Sequence, residues 1–202
     1  LESGIKKDTD LSYQNALDLA DALAEFMDEC YIEQLDFSKF DKIDVGDLST
    51  HWQESLKFLQ ILKDVWPLIL AEEGVCDKTY RQVQMFKGIC DLWRKNPPTD
   101  IIIAAGSTGS QPATAEFLDV VSQLPNGMVI LPGLDKILDE EAFEQIEPSH
   151  PQYHLKNLLK KMGINRQDVP EFVDIPPKYN EKMRLLTEIM RPAKTTDQWQ
   201  KM

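Results

Sequence analysis

Hydrophobic positions follow a helical rhythm over the first 95 residues and then change period abruptly. Across residues 12–34 the apolar set is Ala16, Leu19, Ala20, Leu23, Phe26, Met27 and Cys30, three and four apart, which predicts one amphipathic helix. An acidic connector at 36–47 carries Phe37, Phe40 and Ile43, so it is expected to pack down on a core. A second helix is expected from Thr50, whose spacing to Gln53 is that of a capping box, through Leu56, Leu59, Leu62, Val65, Trp66 and Ile69, stopping near Gly74. A third, over 77–95, repeats the pattern with Val83, Phe86, Cys90 and Trp93 until Pro97-Pro98 forbids its continuation.

After the proline pair the run Ile101-Ile102-Ile103-Ala104-Ala105 predicts a strand buried on both faces. Gly106, Ser107, Thr108, Gly109 and Ser110 follow, then a helix opened by Pro112 and continued through Ala115, Leu118, Val121 and Leu124. Pro125-Asn126-Gly127 turns the chain into a second buried strand at 128–131, which ends in Pro132-Gly133-Leu134-Asp135. Two such strands joined by a helix with short connections predict a parallel βαβ crossover, an α/β fold. Further strands would have to come from weak candidates such as 171–175 or from sequence elsewhere. Beyond lie a short helix at 140–145, a helix from Tyr153 closed by Gly163, and a last helix at 181–190.

Composition narrows the function. Thirty-four acidic against twenty-two basic residues give a formal charge of -12, which opposes sequence-independent attraction to a phosphate backbone. The three cysteines are too far apart for a C-x-x-C pair and odd in number, so free thiols in a cytoplasmic protein are expected. No apolar run approaches a membrane span. The chain opens Leu1-Glu2-Ser3-Gly4 without an initiator Met and stops soon after an amphipathic stretch, so it is expected to be an internal piece of a larger protein.

The candidates for chemistry gather at the carboxyl ends of the strands. Gly106, Ser107, Thr108, Gly109 and Ser110 precede a helix N-terminus, where free backbone N–H groups and the helix dipole favour an anion. They form no Walker A loop, because Gln111-Pro112 stand where Gly-Lys would continue it, and a structural strand-to-helix turn is the competing reading. Asp135 falls on the same edge; it could serve a ligand or cap the following turn. A Mg²⁺ site would need a second carboxylate, and the first strand ends in Ala104-Ala105. His150 and His154 have an i, i+4 spacing with no H-E-x-x-H glutamate, which suits capping or packing better than zinc. Trp52, Trp66 and Trp93 read as core, and Asp139-Glu140-Glu141 as solvated surface.

The run IIIAAGSTGSQPATAEFL at 101–118, then GMVILPGLD at 127–135 and HPQYHL at 150–155, resembles the AddB family, the second subunit of the bacterial AddAB helicase-nucleases in its alphaproteobacterial form. The resemblance extends to His51-Trp52, Trp66-Pro67, Pro97-Pro98 and RLLTEIMRPAKTTDQW at 184–199, so it covers nearly the whole chain. It implies a part of the helicase-like half of a heterodimeric, ATP-dependent machine that resects double-strand DNA breaks for recombinational repair. The implied partners are the AddA helicase-nuclease subunit and, in the full complex, DNA.

The implied fold is a helix-rich α/β one, a partial P-loop or helicase-like parallel βαβ core at 97–202 behind a three-helix subdomain at 1–96. Residues 101–106 would replace the strand that holds the Walker B acids of an active helicase, and 128–135 the strand of the next motif. The family's Mg²⁺-dependent nuclease and its iron-sulfur cluster belong to sequence outside this chain, so Cys30, Cys76 and Cys90 are not mapped onto cluster ligands. No catalytic residue and no cofactor are expected here. Two other readings stand beside this one. A small α/β domain could use residues 106–110 as a phosphate or nucleotide cup, and the acidic N-terminal helices could be a protein-interaction module.

Overall fold

A computed structural model describes residues 13–37, 39, 59, 62–172 and 176–201. The expected connector beyond residue 39, the helix start at Thr50, and His51 and Trp52 lie outside these residues. The chain divides into two compact units, Leu1–Gln84 and Met85–Met202, with the division inside a helix that both share.

In the first unit, α1 (Tyr13–Ile32) buries Met27 and Cys30, the end of the predicted apolar face. The second helix is not continuous to Gly74 as expected: residues 62–64 are helical, Val65 is a turn, and α2 (Trp66–Glu73) starts afresh. Pro67 is the reason, since its ring has no N–H to give to the carbonyl four residues back and crowds it. Gly74 closes α2 in the left-handed region at φ 64°, with the N–H of Val75 donating to Leu70 O at 3.0 Å. Asp77 then ties the unit together. Its Oδ2 accepts from Tyr31 Oη at 2.8 Å and from Trp66 Nε1 at 3.0 Å, and the Tyr31 ring meets Phe37 and Tyr80. Burial, then the bond to Asp77, pushes the Tyr31 hydroxyl pKa up, so it remains a donor.

The second unit holds the rest of α3 (Lys78–Lys95), β1 (Ile102–Ala105), α4 (Pro112–Gln123), β2 (Gly127–Ile130), α5 (Glu140–Glu144), α6 (Tyr153–Met162) and α7 (Asn180–Ile189). Short 3-10 turns lie at Arg166–Asp168, Pro177–Tyr179 and Ala193–Lys201. The two strands are parallel, in the register Ile102↔Gly127 to Ala105↔Ile130, and α4 supplies the crossover. The fold is therefore helix-rich α/β. Of the weak strand candidate at 171–175, residues 171 and 172 are not strand, and 173–175 lie outside the described residues.

The strands are not buried on both faces, contrary to the sequence expectation. Ile102, Ala104 and Val129 share the less exposed face, and α4, packed on both strands, buries Ala113, Leu118, Val120 and Val121. Ile103 is 58% exposed and Met128 47% on the other face. A continuous apolar run records the composition of a strand, not whether a second layer covers it.

On the outer side of α4, Phe117 meets Phe86 and Trp93 of α3 at ring-centroid distances of 5.4 and 5.5 Å. Cys90 is buried there, and Trp93, expected in the core, is half-buried, as is Trp66 in the first unit. Leu155, Leu158 and Leu159 of α6 are buried, and α6 packs against α4. Leu138, Ala142, Phe143 and Ile146 form a smaller cluster around α5, with Tyr153 against it. No helix of the described residues is long and apolar enough to cross a membrane.

Candidate functional site

The loop after β1 is shaped by its glycines. The N–H of Gly106 donates to Ile130 O at 3.1 Å, carrying the strand pairing one step past Ala105, and the chain then turns through φ 80°. Gly109 turns it again at φ 65°, and a Cβ there would meet both Leu158 methyl groups of α6 at 3.2 Å and Ala115 Cα at 3.4 Å. Between them Ser107 Oγ accepts from the Gly109 N–H at 3.2 Å. The Ser107 hydroxyl thus closes its own turn. Thr108 is half-buried and Ser110 exposed. Gln111, extended at the N-cap, gives α4 no side-chain cap, and Pro112 occupies the first turn as its fixed φ favours.

Asp135, beyond the end of the neighbouring strand, has every polar group engaged. Oδ1 accepts from the N–H groups of Ile137 at 2.8 Å and Leu138 at 3.0 Å, closing an Asx turn, and Oδ2 accepts from the buried hydroxyl of Thr187 at 2.9 Å. Its N–H donates to Gln152 Oε1 at 3.0 Å, and its carbonyl accepts from Arg166 Nη1 at 2.9 Å. Gln152 returns a bond from Nε2 to Gly133 O at 2.9 Å. One short loop is thereby pinned by α6, α7 and the turn at Arg166–Asp168.

Two arginines complete the arrangement, and sequence reasoning missed both. Arg166, 3% exposed, bonds through Nη2 to Glu140 Oε2 at 2.7 Å, with its guanidinium 4.1 Å from the Phe143 ring centre. Arg191, 7% exposed, takes both carboxylate oxygens of Glu188 at 2.7 and 2.8 Å and reaches Asp139 Oδ2 at 2.5 Å. Asp139 also caps α5 through the Ala142 N–H at 2.9 Å. Asp139-Glu140-Glu141 is therefore more than a solvated acidic run, because two of its three carboxylates neutralise buried arginines. Their partners lie 26 and 52 residues away, so no local pattern announces them.

The electrostatics follow from those contacts. Burial raises the Asp139 pKa, but the Ala142 N–H and Arg191 outweigh it and hold the carboxyl below its usual range. The bond to Arg191 does the same for Glu188, and the two carboxylates hold Arg191 firmly charged. Burial pushes the Cys30 and Cys90 thiols up and away from reactivity.

His150 serves packing. Its Nδ1 accepts from the Gln152 N–H at 3.0 Å, which leaves the proton on Nε2 to be donated to Met190 O at 2.7 Å, at the end of α7. His154 is exposed, its ring edge-on to Tyr153, so the i, i+4 pair does not converge on an ion. Among the described residues no three or more of His, Cys, Asp and Glu are grouped to hold a metal.

The carboxyl edge of the strands thus brings together two glycine-shaped loops, one uncapped helix start and one fully bonded aspartate. It offers backbone donors and hydroxyls. Among the described residues it holds no paired carboxylates, and Lys136, beside Asp135, donates to Val169 O at 2.7 Å. No protein-family model, no curated protein and no solved structure matches this chain.

Proposed function

We propose that this chain is a non-catalytic, helicase-like scaffold segment of the AddB type, acting in the helicase-nuclease that resects double-strand DNA breaks. The reading starts from the resemblance at 101–118, 127–135 and 150–155. The observation that carries it is the chemistry at the carboxyl end of β1 and β2. Where an ATP-hydrolysing core needs a lysine for the phosphates and acids for Mg²⁺, this edge presents Ala104-Ala105 and a lysine-free loop. The acid there among the described residues, Asp135, has both oxygens committed to Ile137, Leu138 and Thr187. A two-stranded parallel sheet with one apolar face uncovered also fits a sheet completed by other segments of a larger protein.

The motifs that carry the resemblance have structural occupations consistent with a retained fold. The His150-Pro151-Gln152 stretch and Asp135 clamp one another, and Arg191-Pro192 anchors the C-terminal turn to α5. The test is a steady-state ATPase assay of this chain, alone and with the AddA subunit, together with a pull-down by that subunit. Retention by AddA with no Mg²⁺-dependent ATP hydrolysis by the isolated chain is expected. Hydrolysis by the isolated chain, or no retention, would overturn the proposal.

A phosphate or nucleotide cup at Gly106, Ser107, Thr108, Gly109 and Ser110 is the second reading, favoured by the missing side-chain cap on α4. A ligand at about 100 times its Kd stabilises by roughly 2.7 kcal/mol. A thermal-shift panel of nucleotides and inorganic phosphate that leaves Tm unchanged removes it.

A further inference from the structure

Away from the strand edge, a cleft of ≈ 500 Å³ opens between α5, α6 and the turn at Arg166–Asp168. Its walls are apolar at Phe143, Ile146, Tyr153, Leu159 and Ile164, and three cations line it, Lys156, Lys160 and Arg166. Glu140 and Glu144 line it too, so its cations outnumber its acids by one. Lys156 is paired with Glu144 at 3.2 Å and Arg166 with Glu140, whereas Lys160 has no carboxylate partner among the described residues.

Arg166 is the informative group. A guanidinium presents two parallel N–H groups along its Nε and Nη2 edge, a fork that matches a planar carboxylate. Glu140 fills half of that fork: Oε2 takes Nη2 at 2.7 Å, and Nε is buried with no partner among the described residues. A buried donor left unpaired is costly. The ring of Phe143 and the bond from Nη1 to Asp135 O hold the guanidinium in place, while the Glu140 side chain is 60% exposed. The fixed, buried cation is therefore covered by an acid whose own side chain lies mostly in solvent, and an incoming carboxylate can take its place without leaving the cation unpaired.

We infer that this cleft is a binding site for a small carboxylate with an apolar body. Its carboxylate displaces Glu140 to take both Nε and Nη2 of Arg166, Lys160 adds the second positive charge, and the apolar part lies on Ile146, Tyr153 and Ile164. The volume falls in the usual range of small-molecule sites, about 300–1,000 Å³. The inference rests on Arg166 and does not depend on the helicase-like reading.

Heteronuclear spectra of the full chain with isotope-labelled arginine follow the Nε–H of Arg166 directly. The probes are benzoate and hexanoate, each beside its neutral amide. Either acid is expected to shift the Arg166 Nε–H signal saturably, with a Kd of roughly millimolar order for ligands of so few atoms. Lys160→Ala should weaken binding, and Glu140→Ala should tighten it about fivefold or more, because no side-chain carboxylate then competes for the buried guanidinium. Because Arg166 also supports Asp135, its own replacement could unfold the loop, whereas Glu140→Ala leaves it in place. No saturable shift in either the wild type or Glu140→Ala overturns the inference. So does an amide that moves the signal as far as its acid, since the cleft would then be merely apolar.

Discussion

At the scale of single residues the glycines divide into two kinds. Gly106 is needed for its φ of 80°, since a Cβ there would touch nothing. Gly127 is needed for space: a Cβ would lie 1.9 Å from Val121 O and 2.9 Å from Leu124 Cβ, where the end of α4 meets the start of β2. Gly127→Ala must move backbone and is expected to lower unfolding free energy by about 3 kcal/mol, near the upper end of overpacking costs. Gly106→Ala should lose about 1 kcal/mol, the strain of a left-handed alanine. Urea denaturation of the two variants checks this, and equal losses would refute the distinction. In the sequence both read as turn glycines. What separates them is the approach of Val121 and Leu124, six and three residues back, across the tight turn from α4 into β2, a closeness that residue types alone do not announce.

At the scale of elements, helix ends were legible because capping chemistry is local. Gly74 and Gly163 close their helices in the left-handed region, and Pro112 opens α4, as their residue types dictate. Burial of the strands was not legible, because it depends on a covering layer whose residues are distant in sequence. Ile103→Thr, on the uncovered face, should therefore change stability by no more than about 0.5 kcal/mol, whereas Leu118→Ala, at a buried position of α4, should cost about 3 kcal/mol. Comparable losses in thermal or urea unfolding would mean that the Ile103 face is covered in solution. The Arg191 clamp sits on the same scale, joining the cap of α5 to the end of α7. Asp139 and Glu188 both have folded pKa values below their unfolded ones. Their contribution is present above the ordinary carboxylate range and disappears as pH falls through the folded values, below about pH 4. Arg191→Met should lower stability at neutral pH and flatten the loss between neutral and acid conditions, as read from urea midpoints across pH. An unchanged acid slope in that variant would remove the clamp from the account.

At the scale of the whole molecule, charge and chemistry point the same way. The loops that follow the two parallel strands were legible in sequence, and so was a capping role for Asp135, but its bonds to Thr187 and Arg166 were not, because they come from 52 and 31 residues away. Those contacts leave an edge of backbone donors and hydroxyls on a chain of charge -12, with α1 carrying five carboxylates and no base. Non-specific DNA binding depends on neutralising phosphates and releasing their counterions, so its logarithm falls with log salt at a slope of about -0.9 for each phosphate contacted. This chain alone should give no measurable anisotropy change with a random-sequence duplex at about 0.15 M salt, where such binders still reach roughly 10⁻⁴–10⁻⁶ M. Lowering the salt should recover little, because the long-range field repels the duplex and a weaker screen strengthens that repulsion. Tight binding with a slope of about -4 or steeper would mean that cations on one face outweigh the net charge, and the chain would then hold DNA by itself. The absence of such binding would agree with the proposal that a basic partner supplies the hold on DNA, with the loops after β1 and β2 as one wall of a shared groove.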